Sequence, residues 1–150
     1  MKRLTLILTI LVAAASCALS AADAPKRYGW GNKTPLYGDV ESVTVTKYSL
    51  KDSLGVLSRS KIGRSCFKFK ESGDVTENAI YNSDGSLSQK YIYKYDAQGN
   101  NTELAEYNSD GLLEIRCTHK YDAKGKMTEA LMYNSDGSLI DKLTLTYKYD

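Results

Sequence analysis

Glu77, Glu103 and Glu129 recur at a constant interval of 26 residues, each directly after a threonine (Thr76, Thr102, Thr128). Tyr91, Tyr93 and His119 stand on neighbouring segments of the same repeats. A carboxylate row beside phenols and an imidazole could hold a ligand or move protons, with Glu129 opposite His119 as the acid/base pair. The same residues could instead form a ladder in which tyrosine hydroxyls donate to carboxylates and satisfy a half-buried face. Threefold duplication favours the ladder, because a residue copied with its surroundings serves the repeat before it serves one reaction.

Other chemistry is thinner. Asn-Ser-Asp-Gly at 82–85, 108–111 and 134–137 places oxygen ligands around a glycine, as calcium loops do, but supplies one acidic residue per loop. The chain has a single His, no Ser-His-Asp set, no glycine-rich phosphate loop and no paired cysteine ligands. No metal, no cofactor and no enzymatic activity are expected.

The elements that must position these residues are legible from the repeat itself. Tyr81, Tyr107 and Tyr133 each precede Asn-Ser-Asp-Gly, and Tyr95-Asp96-Ala97-Gln98-Gly99 recurs as Tyr121-Asp122-Ala123-Lys124-Gly125. In both signals Asn or Asp opens, two ordinary residues follow and Gly closes. That order suits a type I turn whose glycine supplies the positive φ of a bulged hairpin. Segments between turns are rich in Tyr, Thr, Ile and Leu and read as strands. The expected fold is therefore all-β: an antiparallel meander of about eight strands built from 26-residue two-hairpin repeats. The strands are expected near 39–49, 60–70, 75–81, 87–95, 101–107, 113–121, 127–133 and 139–149, with 49–55 as a longer first connection.

If Asn82 pairs with Ser86 and Asp96 with Asn100, odd-numbered residues share one side of the sheet. Glu77 then faces Tyr91, Tyr93 faces Glu103, and Glu129 faces His119. Such a Tyr-rich face needs a cover. The sheet could curl into an incompletely closed barrel, the segment with Trp30 and Tyr37 could fold across it, or another molecule could cover it. Cys66 and Cys117 fall four strands apart, about 19 Å at the usual strand spacing, so they are expected to be unpaired.

Composition sets outer bounds. Twelve Tyr stand against two Phe and one Trp, and 42% hydrophobic with 25% charged residues excludes both a disordered and a polytopic membrane chain. The net charge of +2 resides in Lys2 and Arg3, leaving 18 basic and 18 acidic residues beyond residue 22. No nucleic-acid partner is expected from that balance. Met1-Lys2-Arg3, the uncharged run Leu4–Ala15 and the small residues to Ala22 read as a secretory signal peptide over 1–22, too short for a membrane span. Cleavage before Asp23 or before Ala21 fits. Ala14-Ala15-Ser16-Cys17 offers lipidation at Cys17 as an alternative anchor. Residues 23–38 read as an irregular leader and 39–150 as the repeat domain. An exported location follows (periplasm, cell surface or outside), with a lipid-anchored form as the variant.

The stretch Gly85-Ser86-Leu87-Ser88-Gln89-Lys90-Tyr91-Ile92-Tyr93-Lys94-Tyr95-Asp96-Ala97-Gln98-Gly99-Asn100 resembles the YD repeat of bacterial RHS-type proteins. Tyr81-Asn82-Ser83-Asp84-Gly85-Ser86-Leu87 is also similar to MORN-like repeats. The resemblance covers about residues 67–150. It implies an exported or cell-surface β-repeat module, which in long versions forms a shell around a toxin and is sometimes credited with carbohydrate binding. Two and a half repeats do not enclose a cargo.

The expected function is a non-catalytic exported β-repeat protein, structural or binding a glycan or protein at the Tyr-rich face, with self-association as a further expectation. Tyr91, Tyr93, Glu77, Glu103, Glu129 and His119 are the candidate ligand-binding residues. The alternative is a small-ligand carrier, which requires the strands to close around a cavity.

Overall fold

Each Asn/Asp-x-x-Gly element closes through two backbone hydrogen bonds. Gly85 N–H donates to Asn82 O at 3.2 Å and Asn82 N–H to Ser86 O at 2.9 Å, and the pair recurs at 96–100, 108–112, 122–126 and 134–138. The closing glycines take left-handed φ values, from +72° at Gly125 to +93° at Gly85, which residues with a Cβ adopt only at a penalty. Opening side chains add to the closure: Asp96 Oδ1 accepts from the amides of Gln98 at 3.0 Å and Asn100 at 2.8 Å.

The computed structural model describes residues 39–148. The expected signal peptide 1–22, the leader 23–38 with Trp30 and Tyr37, and Cys17 lie outside the described residues. The strands are β1 (Ser42–Ser53), β2 (Val56–Phe69), β3 (Val75–Tyr81), β4 (Leu87–Tyr95), β5 (Asn101–Tyr107), β6 (Leu113–Tyr121), β7 (Met127–Asn134) and β8 (Leu139–Thr144). They form one antiparallel sheet in the order β1-β2-β3-β4-β5-β6-β7-β8. The fold is the expected all-β meander, and the sheet is not closed. By contact density the chain divides into two compact units, one up to Ser88 and the other from Gln89 onward.

The first hairpin differs from the reading of 49–55 as a connection. β1 continues to Ser53 and β2 begins at Val56, with Ser53 across from Val56 and only Leu54-Gly55 between them. Both turn residues have positive φ, 54° and 82°, the geometry of a two-residue hairpin loop that matches strand twist. Asp52 Oδ1 accepts the Gly55 amide at 2.9 Å, so Asp52 takes the place of an Asn or Asp inside the loop. At the other end β8 stops at Thr144, although Leu145 N–H still donates to Thr128 O at 2.9 Å.

In the first unit Val45 and Phe67 are buried on one side of the β1–β2 pair, with Val43 across from Phe67 and Val45 across from Ser65. Gly63 allows a close approach: a Cβ there would meet Tyr81 O at 2.8 Å. In the second unit Ala105 is the buried apolar residue, and the other strand residues are half-buried or exposed. A sheet with few fully buried side chains depends on cross-strand pairs for much of its stability.

Candidate functional site

In the hairpins β2–β3, β4–β5, β5–β6, β6–β7 and β7–β8 a β-bulge lies close to the turn, whereas β1–β2 carries its extra residue, Ile62, far from Leu54-Gly55; the bulges decide which side chains meet. Beyond Tyr95↔Asn101 the pairing resumes at Lys94↔Glu103, leaving Thr102 as the extra residue. Thr76 and Thr128 hold the same place between β2 and β3 and between β6 and β7. Thr128 Oγ1 donates back to Lys120 O at 3.3 Å, and Thr76 Oγ1 to Lys68 O at the same distance. Glu114 and Ile140 are the extra residues of the alternate hairpins. One inserted residue exchanges the faces of everything beyond it.

Odd-numbered residues therefore do not share one side of the second unit, and two of the expected pairings are corrected. Tyr93 faces Leu104 instead of Glu103, and His119 faces Ala130 instead of Glu129. Glu77 faces Lys68 on β2. The three periodic carboxylates are bound by lysines that share their interval: Lys68–Glu77 at 2.9 Å, Lys94–Glu103 at 2.8 Å and Lys120–Glu129 at 2.7 Å. Glu129 takes a second cation, Lys142, at 3.0 Å. These hydrogen-bonded ammonium groups, Lys120 foremost, hold the Glu129 carboxyl below its ordinary range. A general base needs the opposite tuning, toward neutrality.

Within the second unit the two faces carry different chemistry. One presents Lys90, Lys94, Glu103, Tyr107, Arg116, Lys120, Glu129 and Tyr133. Its tyrosines are capped by cations: Lys90 Nζ lies 5.0 Å from the Tyr107 ring centroid and Arg116 Cζ 4.8 Å from that of Tyr133. Arg64 over Tyr81, at 4.3 Å, repeats the arrangement in the first unit. Arg64, Lys90 and Arg116 keep the 26-residue interval. That interval was the available signal for these pairs, which a search centred on Tyr and Glu passes over.

The opposite face of the second unit gathers Tyr91, Tyr93, Leu104, Ile115, Cys117, His119 and Met132, following the register Tyr91↔Glu106↔Ile115 and Tyr93↔Leu104↔Cys117↔Met132. All are half-buried. Burial pushes the Tyr91 and Tyr93 phenols and the Cys117 thiol up, so each stays neutral at physiological pH; the Glu106 carboxylate adds to the effect at Tyr91 and Cys117. Glu106 accepts a hydrogen bond from Gln89 Nε2.

His119 is tied to the backbone: its Nδ1 lies 3.0 Å from Asn101 O, and Tyr121 Oη donates to the same carbonyl at 2.7 Å. A carbonyl only accepts, so in this hydrogen bond Nδ1 carries the proton. Tyr147 Oη makes the equivalent bond to Met127 O one repeat later. Of the six candidates, Tyr91, Tyr93 and His119 thus share a face, while Glu103 and Glu129 lie on the other and Glu77 belongs to the first unit. The Glu129–His119 pair is not assembled. What the Tyr91 face offers is apolar and aromatic surface with phenol hydroxyls and a backbone-tied imidazole, suited to contact rather than bond chemistry.

Cys66 and Cys117 are free thiols. Among the described residues no three His, Cys, Asp or Glu side chains gather as metal ligands, and no helix is long and apolar enough to cross a membrane. The turn carboxylates are engaged locally: Asp84 Oδ1 accepts from Ser86 Oγ at 2.7 Å and from its amide at 2.9 Å. These bonds hold the Asp84 carboxyl below its ordinary value. Compared with known proteins, the chain matches no family model and no curated protein.

Proposed function

We propose that the protein is a non-catalytic, exported β-repeat module that binds a glycan or protein partner through the Tyr91–Tyr93 face of its second unit. One observation carries the reading: Tyr91, Tyr93, Leu104, Ile115, His119 and Met132 lie on one face of an unclosed sheet, and none of them is fully buried. Aromatic surface of this kind suits stacking on sugar rings and packing against protein alike. The lysine-bound glutamates of the opposite face support a structural role for that side. Export is supported by Met1-Lys2-Arg3 and the apolar run that follows, and the repeat resemblance agrees with a surface location. The carrier reading needs strands closed around a cavity, whereas β1 and β8 each have a single hydrogen-bonded neighbour.

The test is a glycan array and an envelope-fraction binding screen with the protein as recovered after export, alongside Tyr91→Ala and Tyr93→Ala. Binding lost in both variants while folding is retained supports the face as the site. Binding equal to wild type in both variants overturns it.

A further inference from the structure

β1 and β2 extend past the rest of the first unit's sheet. β2 meets β3 only from Arg64 onward, so residues 48–61 form a two-stranded ribbon closed by Leu54-Gly55. At its tip the apolar side chains stand in water: Leu54 is 106% exposed, Val56 68% and Leu57 66%. Leu54 is also the one non-glycine residue with positive φ among the described residues, at 54°. The loop geometry calls for Asn, Asp or Gly at that position. A leucine there is unfavourable for the backbone and for hydration at once, and a local rule broken twice by one residue marks a functional position.

The shaft behind the tip is basic. Within 47–61 stand Lys47, Lys51, Arg59 and Lys61 against a single acid, Asp52, whose carboxylate already accepts the Gly55 amide. Arg59 lies over the Tyr48 ring at 4.4 Å. Lys51 is three residues behind Leu54, so the cations begin about 10 Å from the tip at the usual rise per strand residue. Apolar groups leading and cations that far behind match the headgroup–acyl boundary of a bilayer, about 5–10 Å deep, with anionic phosphates above it. A protein partner would be read in part by directional polar groups at the rim of the contact. At the tip the Ser58 hydroxyl is already engaged, donating to Lys51 O at 3.1 Å.

We propose that the β1–β2 ribbon docks the protein on an anionic lipid surface, with Leu54, Val56 and Leu57 inserted and Lys51, Arg59 and Lys61 on the lipid phosphates. The proposal is independent of the Tyr91 face.

The test places a fluorescent reporter at the tip as Leu57→Trp in a Trp30→Phe chain, purified as recovered after export. The introduced indole is expected to shift to the blue and to be quenched by brominated lipid with vesicles containing phosphatidylglycerol. The response should be weak with phosphatidylcholine alone and should fall with added salt. By co-sedimentation of otherwise unaltered protein, Leu54→Asn should bind such vesicles about tenfold more weakly than wild type, one inserted leucine being lost, while melting at a higher temperature. Lys51→Glu with Lys61→Glu should also weaken binding. An indole unmoved by either vesicle, an equal response to both, or Leu54→Asn sedimenting like wild type would overturn the proposal. A response only to lipid-free envelope protein would assign the tip to a protein partner and overturn it equally.

Discussion

Glu129 lies between two cations, with Oε1 2.7 Å from Lys120 Nζ and Oε2 3.0 Å from Lys142 Nζ. Both hydrogen bonds favour the ionised carboxyl and hold its pKa below the ordinary 4.5, against the opposing effect of burial. A group with a depressed folded pKa contributes stability that is complete above its unfolded value and fades as pH falls through the folded one. Wild type should therefore exceed Glu129→Gln in stability near neutrality and lose that margin in acid below the ordinary Glu range. Urea midpoints of both proteins across an acid series check this. A margin that stays constant through the series would refute it.

The same reasoning runs in reverse at high pH. The Glu129 hydrogen bond raises the Lys120 pKa above its ordinary 10.5, so the ammonium adds stability that is complete below that value and disappears as pH rises through the raised one. Lys120→Met should destabilise at neutral pH and approach wild type in strong alkali, as followed by circular dichroism melts.

The register itself can be read from coupling energies. Lys94 and Glu103 are direct partners, whereas Tyr93 pairs with Leu104. A double-mutant cycle on Lys94→Ala and Glu103→Ala should return a favourable coupling that salt diminishes. The cycle on Tyr93→Ala and Glu103→Ala should return none. Coupling in the second cycle and not the first would restore a sheet without bulges.

Gly63 meets a steric demand on top of its positive φ of 157°, whereas Gly111 meets a conformational one alone. Gly63→Ala drives a Cβ to 2.8 Å from Tyr81 O and should destabilise by about 1–3 kcal/mol, the usual range for overpacking. Gly111→Ala meets nothing within 4 Å but must hold φ near +77°, a penalty of about 1 kcal/mol. Denaturant titration should rank Gly63→Ala as the more damaging, and the reverse order would contradict the close approach.

Cys117 is half-buried, and burial followed by the Glu106 carboxylate raises its thiol pKa. It should react with an aromatic disulfide reagent at mildly alkaline pH more slowly in the folded protein than in denaturant, and Glu106→Gln should speed the folded reaction. Equal folded and unfolded rates would show the thiol to be open to solvent.

Much of this architecture was legible because the turns announce themselves. Asn or Asp followed three residues later by Gly leaves few alternatives, and the strands occupy what remains between. The side-chain faces were not legible in the same way, since Thr76, Thr102 and Thr128 look like ordinary strand residues although each is the extra residue of a bulge. Their recurrence beside the glutamates was visible, but its meaning depends on hydrogen bonds to Lys68 O and Lys120 O that only folded geometry supplies. Leu54 hid the first turn for a related reason: leucine carries none of the usual turn chemistry, and Asp52 supplies it from outside the loop. Of the candidate site, Tyr91, Tyr93 and His119 share a face because the insertions at Thr102 and Glu114 cancel between β4 and β6, while single insertions at Thr102 and Thr128 set Glu103 and Glu129 on the other.

The paired bulges also give the chain an arithmetic. Each hairpin reverses the parity of the residues on a given face, and two hairpins restore it, so 26 residues is an interval at which odd positions return to where odd positions were. A segment such as Asp96–Tyr121 can be removed or copied in frame, joining Tyr95 to Asp122, with every lysine still meeting its glutamate. The protein is thus built in a unit of inheritance that can be added or lost without rewriting either surface. A chain lacking 96–121 is expected to fold, one cassette shorter.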